Sequence, residues 1–135
     1  MRHFLTPLLR SSEPCGLTVV RTGTWLVEQL ETALDSKTRT KGLLGHDRLA
    51  LDRGLVIAPT QGVHTFGMKF SIDIVAVNRE GRVVKCRTHV PPRRIVLALR
   101  AFAIVELAAG GVERAGLREG DQLAIAPAAS RCLQA

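Results

Sequence analysis

Residues 71–90, SIDIVAVNREGRVVKCRTHV, constrain the fold more than any other stretch. Residues 71–78 are apolar on both faces of an extended chain, which suits a strand in the middle of a sheet or between two layers. Asn78-Arg79-Glu80-Gly81 reads as a hairpin turn in which Gly81 is free to take positive φ. Residues 82–90 then return antiparallel, with Val84, Cys86, Thr88 and Val90 on one face and Lys85, Arg87 and His89 on the other. Pro91-Pro92 stops the strand, because neither residue can donate to a ladder. Such a ribbon needs cover on both faces of its first strand, and 135 residues suffice for one core of that kind.

The flanking segments supply more strands and little helix. Residues 17–22 form a β-branched run, Gly23-Thr24 a turn, and residues 25–30 alternate as a second strand. The spacing of Leu26, Leu30, Ala33 and Leu34 also fits a helical period, and both readings stand at this point. Ser36 is positioned to cap a short basic helix carrying Lys37, Arg39 and Lys41, ended by Gly42 and Gly45. Leu43, Leu44, Leu49 and Leu51 turn inward, Asp52-Arg53-Gly54 reverses the chain, and residues 55–58 form a short buried strand before Pro59. Residues 102–107 make a strand, residues 112–115 a helical turn, and residues 122–126 the last strand. The expected architecture is mainly β: a single-domain antiparallel sandwich or squashed barrel with two short helices, since no crossover helix is long enough for a parallel α/β sheet. The domain is expected over residues 17–127, between an N-terminal tail of residues 1–16 and a C-terminal tail of residues 128–135.

Charge and cysteine usage narrow the setting. The formal net charge is +7, and Arg79, Arg82, Lys85, Arg87, Arg93, Arg94 and Arg100 crowd together with only Glu80 against them. Acidic or phosphate-bearing partners suit such a face, although a solvated Arg-rich surface has the same composition. Cys15, Cys86 and Cys132 are odd in number and widely spaced, which excludes a secreted disulfide framework and implies reduced thiols. The apolar patch of residues 4–9 is broken by Pro7 and too short for a signal sequence or a membrane span. A cytoplasmic protein without a spanning segment is expected.

The chemistry concentrates in residues 63–73, VHTFGMKFSID. In an extended chain His64, Phe66 and Met68 share one side and Thr65 and Gly67 the other, and Gly67 allows close approach to the backbone. Glu106 lies on the same face as Phe102 and Ile104, where an unpaired carboxylate is costly. His64, Asp73 and Glu106 form a loose acid–base set, with a structural role as the competing reading of each. Cys86 and His89 on one strand point opposite ways, so the pair does not make a metal site, and no metal or cofactor is assigned. No phosphate loop, dinucleotide fingerprint or nucleophile elbow is present.

Several spaced motifs together resemble the family known as domain of unknown function 192. They are Arg39-x-x-Gly42-Leu43-Leu44-Gly45, Gly54-Leu55, His64-Thr65-Phe66-Gly67-Met68, Ile72-Asp73-Ile74, the Gly81 hairpin, Val105-Glu106-Leu107-x-x-Gly110 and Gly120-Asp121, over residues 24–127. The resemblance implies a small β-rich domain of bacteria and archaea with no established activity. Many members carry an aromatic-Trp-Met motif where Phe66-Gly67-Met68 stands here, and a basic residue where His46 follows Gly45.

Three functional readings follow. The first is a non-enzymatic binding domain for a small anionic ligand or an acidic protein partner, with Arg39, His64, Thr65, Phe66, Met68, Asp73, Arg87 and Arg94 forming the site. The second is a hydrolase- or lyase-like enzyme using His64 with Asp73 or Glu106, with or without a metal. The third is electrostatic nucleic-acid binding through residues 79–100, the weakest because aromatic stacking residues are scarce.

Overall fold

Strand β6 (Ile72–Val77), the first half of the ribbon, is buried along its whole length. In the computed structural model, which describes residues 3–127, it lies between β7 (Val83–Val90) and β9 (Ala103–Ala108). These strands belong to a five-stranded sheet completed by β3 (Gln29–Ala33) and β4 (Arg53–Ile57), in the order β3-β4-β9-β6-β7. Both faces of that sheet are covered. On one, Val56, Val75, Val77, Val105 and Leu107 pack with Leu17, Val19, Leu26, Val27 and Leu123. These last residues come from a three-stranded sheet of β1 (Cys15–Val19), β2 (Thr24–Val27) and β10 (Leu123–Pro127), ordered β10-β1-β2.

The opposite face buries Leu55, Ile57, Ile72, Ile74 and Ile104 against Leu43, Met68, Val90, Val96 and Ala98. Its cover is an antiparallel ribbon of β5 (Gly62–His64) and β8 (Ile95–Leu97), together with α2 (Ser36–Lys41) and the loop that follows. The sandwich expected from alternation is therefore present, with short helices at its edges. Two details differ from an all-antiparallel design. Strands β3 and β4 pair in parallel, which requires a long crossover, and residues 34–52 supply it with α2 inside. There are three described helices, α1 (Thr6–Arg10), α2 and α3 (Gly111–Ala115), none longer than six residues.

Residues 3–10, whose packing the sequence leaves open, lie against the domain. Leu5 is fully buried in the core, and the Phe4 backbone N–H donates to the Arg79 carbonyl at 2.8 Å. Gly81 serves this contact as well as the turn: its φ is +85°, and a Cβ there would lie 2.9 Å from the Phe4 ring. Residues 128–135 lie outside the described residues.

Of the two readings left open for residues 25–30 the extended one holds, with β2 and β3 meeting at Glu28. Two local expectations are corrected. Helix α2 is capped by Asp35, whose carboxylate accepts the Thr38 N–H at 2.8 Å while Thr38 Oγ1 accepts the Asp35 N–H at 3.4 Å, so Ser36 is its first residue and not its cap. The even alternation of β7 fails near its end. A bulge opposite Ile72 and Ile74 and a positive φ of 50° at His89 leave Thr88 exposed.

Candidate functional site

The two buried carboxylates of the sheet face opposite ways, because Asp73 pairs with Leu107 across β6 and β9 while Ile74 pairs with Glu106. Asp73 points toward the three-stranded sheet and is fully buried. Its Oδ1 accepts the His89 N–H at 2.9 Å, and its Oδ2 accepts the N–H groups of Gly110 at 3.2 Å and Val112 at 2.9 Å. That carboxylate ties the β7 bulge to the start of α3. It belongs to the framework, and the acid–base pairing of His64 with Asp73 falls because the two lie on opposite sides of the sheet.

Glu106 points the other way, into a cavity of about 460 Å³ between α2, its following loop and β5. The residue is 3% exposed. Among the described residues nothing donates to its carboxyl and no cation pairs with it; burial alone pushes its pKa up to about 7. Gly42, at φ +49°, lies next to it: a Cβ there would be in ordinary van der Waals contact with Oε1, at 3.5 Å. Leu43, Leu44, Ile57, Val63 and Met68 make the apolar walls.

Arg39, Lys41 and His64 stand at the mouth, with Ser36 and Thr60 beside them. Arg39 and Lys41 both fall in the last turn of α2, two residues apart and so on different sides of the helix. Arg39 is half-buried, with Nη1 donating to the Leu34 carbonyl at 3.0 Å and Nη2 to Ser36 Oγ at 3.4 Å, which fixes the guanidinium against the helix start. Lys41 and His64 are exposed, and the His64 ring tilts against Phe66 at 5.8 Å. Thr60 donates through Oγ1 to the Gly62 carbonyl at 2.8 Å and holds the entry to β5.

Of the residues singled out from the sequence, the cavity thus gathers Arg39, His64, Met68 and Glu106. The others lie elsewhere. Strand β5 ends at His64, and the positive φ of 82° at Gly67 turns the chain, so His64, Phe66 and Met68 do not form one strand face. Met68 is buried and Phe66 is 48% exposed. Thr65 is fully buried as a turn anchor: its Oγ1 donates to the Pro91 carbonyl at 2.7 Å and accepts the Arg94 N–H at 2.9 Å. Arg87 and Arg94 are exposed and bond backbone carbonyls nearby, Cys86 at 3.0 Å and Pro92 at 3.4 Å respectively. Neither lines the cavity.

Sequence reasoning missed Ser36, Lys41 and Thr60 as lining residues. Lys41 was visible only as part of a basic helix, the usual mark of a solvated face. Cys86 is half-buried with its thiol pushed up to about 11, chiefly by burial, which disfavours a nucleophilic role. Among the described residues no group of three or more His, Cys, Asp or Glu side chains converges as a metal site. No described helix is long and apolar enough to cross a membrane.

Two solved structures share this architecture. A protein of unknown function from Novosphingobium aromaticivorans DSM 12444 matches with a TM-score of 0.71 and 23% identity, over 82% of each chain. A protein described as a putative transcription regulator from Sinorhizobium meliloti 1021 matches with a TM-score of 0.72 and 22% identity, over 82% of this chain and 91% of that one. At these identities the likeness is one of fold. No match was found among curated proteins. The sequence profile of the family DUF192, described as "Uncharacterized ACR", matches residues 18–125, most of the chain, and its span takes in α2, β5 and Glu106; the protein belongs to the DUF192 family.

Proposed function

We propose that this protein is a binding domain for a small anionic ligand held in the Glu106 cavity. The observation that carries the reading is a buried carboxyl without a partner, opening into a cavity whose mouth bears Arg39, Lys41 and His64. Cationic groups at the mouth attract an anion. The neutral form of Glu106, favoured by its burial, offers a hydrogen-bond donor instead of a repelling charge. Titration with acetate, citrate and inorganic phosphate, followed by amide chemical shifts, tests this. Shifts are expected around α2 and β5, and loss of affinity of about tenfold in an Arg39→Ala, Lys41→Ala double variant, in line with the removal of charge-assisted bonds. Equal affinities in wild type and variant would sink the reading.

An acid–base enzyme is the second reading, and one observation favours it: Glu106 shares its cavity with His64 and titrates near neutrality. It requires turnover that falls at least a hundredfold in Glu106→Gln. A cytoplasmic setting is in keeping with Cys15 and Cys86 as free thiols. The name of the Sinorhizobium relative brings nucleic acid back as a partner for the basic ribbon around Arg79, Arg93 and Arg100. The described helices have at most six residues, so groove contact would fall to the ribbon itself.

A further inference from the structure

We infer that the ligand of the Glu106 cavity is a zwitterion, a small aliphatic amino acid, with its ammonium at Glu106 and its carboxylate at Arg39 and Lys41. The inference rests on the anion-binding reading and adds the inner end of the ligand to it. A simple anion leaves the deepest polar group of the cavity poorly used: it can meet Glu106 only in the protonated form, and the ionised form repels it. An ammonium uses that group fully: among the described residues no N–H group reaches Glu106 as three reach Asp73, and a charged, hydrogen-bonded partner would compensate the burial of its carboxylate. Of the charged lining residues Glu106 is buried, Arg39 half-buried and Lys41 exposed, an order from acidic inside to basic outside that suits a ligand carrying both charges.

The walls and the mouth fit the remaining atoms. Leu43, Leu44, Ile57, Val63 and Met68 offer apolar surface for an aliphatic side chain. Two of the donors of Arg39 are engaged by Leu34 and Ser36, and the guanidinium has five, so the group is held in place with donors left for a carboxylate. A volume of about 460 Å³ leaves room for the side chain as well as both charged groups.

The test compares L-leucine with its two halves, 3-methylbutylamine and 4-methylpentanoate, by calorimetric titration at pH 6 and pH 8. Leucine is expected to bind at least tenfold more tightly than either half. Its affinity should rise about tenfold from pH 6 to pH 8, as the ionised fraction of Glu106 grows. The other groups facing the cavity are Arg39 and Lys41 from α2 and His64 from β5. Arginine and lysine keep their charge over this interval, and histidine as a class does not, so the series is repeated in His64→Asn. Glu106→Gln should erase the preference for leucine over 4-methylpentanoate. If 4-methylpentanoate binds as tightly as leucine and tightens as pH falls, the zwitterion is overturned while the anion reading stands. If none of the three binds at millimolar concentration, and acetate, citrate and phosphate also fail, both readings fall.

Discussion

Glu106 and Asp73 show how one sheet gives two buried carboxyls different roles through the direction each faces. Asp73 meets three backbone N–H groups and Glu106 meets a cavity. For Asp73→Ala the consequence is structural: three backbone donors, one of them in a fully buried bond, lose their acceptor, and the loss should be about 3 kcal/mol in urea denaturation. A cost below about 1 kcal/mol would mean that the knot does not hold the bulge to α3. For Glu106 the consequence depends on pH. Its folded pKa of about 7 lies above the ordinary value of 4.5, so the folded state resists its ionisation. The penalty is absent at pH below the ordinary value, grows as pH rises from there to about 7, and is constant above. Glu106→Gln removes it. The stability of the variant relative to wild type should therefore rise by on the order of 3 kcal/mol between pH 4 and pH 8, less where water in the cavity screens the charge. A flat difference across that interval in paired denaturation curves would show that burial does not raise this pKa.

Helix α2 is only six residues long, so its cap matters more than its propensity. The reciprocal bonds between Asp35 and Thr38 hold its first turn, and its last turn carries the cationic mouth of the cavity. Asp35→Ala should cost about 1 kcal/mol of stability. It should also weaken any anion bound at Arg39 and Lys41, through fraying of the helix that positions them. Unchanged amide exchange in residues 36–41 would contradict this. At this scale the sequence was informative wherever a local rule decides: the Gly81 turn, the apolar run of β6 and the stop at Pro91-Pro92 are all where alternation and turn chemistry put them. It was less so where distant groups decide. The partners of Asp73 come from residues 16 to 39 positions away, and β8 was hidden because its exposed Ile95 and Leu97 flank a single buried Val96. Asp35 and Ser36 are both good caps by composition, and only the Thr38 geometry separates them.

At the scale of the whole molecule, the five-stranded sheet has a closely packed face and a face that holds the cavity. The three-stranded sheet, α3 and the N-terminal segment close one face, while α2 and the β5–β8 ribbon close the other less completely and leave the cavity. Glu106 could be suspected from the sequence because it interrupts the apolar run of β9, but the cavity above it depends on the parallel crossover, which no local pattern announces. The N-terminal segment is the other part that only the assembled fold explains. Residues 3–10 are too short and too broken by Pro7 to signal order by themselves, yet Leu5 is buried in the same core cluster as Val77 and Val83, and Phe4 packs at the Gly81 turn. If this segment is structural, Leu5→Ala should behave as a core truncation and cost about 2–5 kcal/mol. A segment merely draped over the outside would lose a few tenths of a kcal/mol at most, as surface changes do. Denaturation midpoints of Leu5→Ala beside Leu9→Ala, whose side chain is 54% exposed in the same segment, separate the two cases. The expected result is a large loss for the first and almost none for the second, whereas equal small losses would return residues 3–10 to the status of a tail.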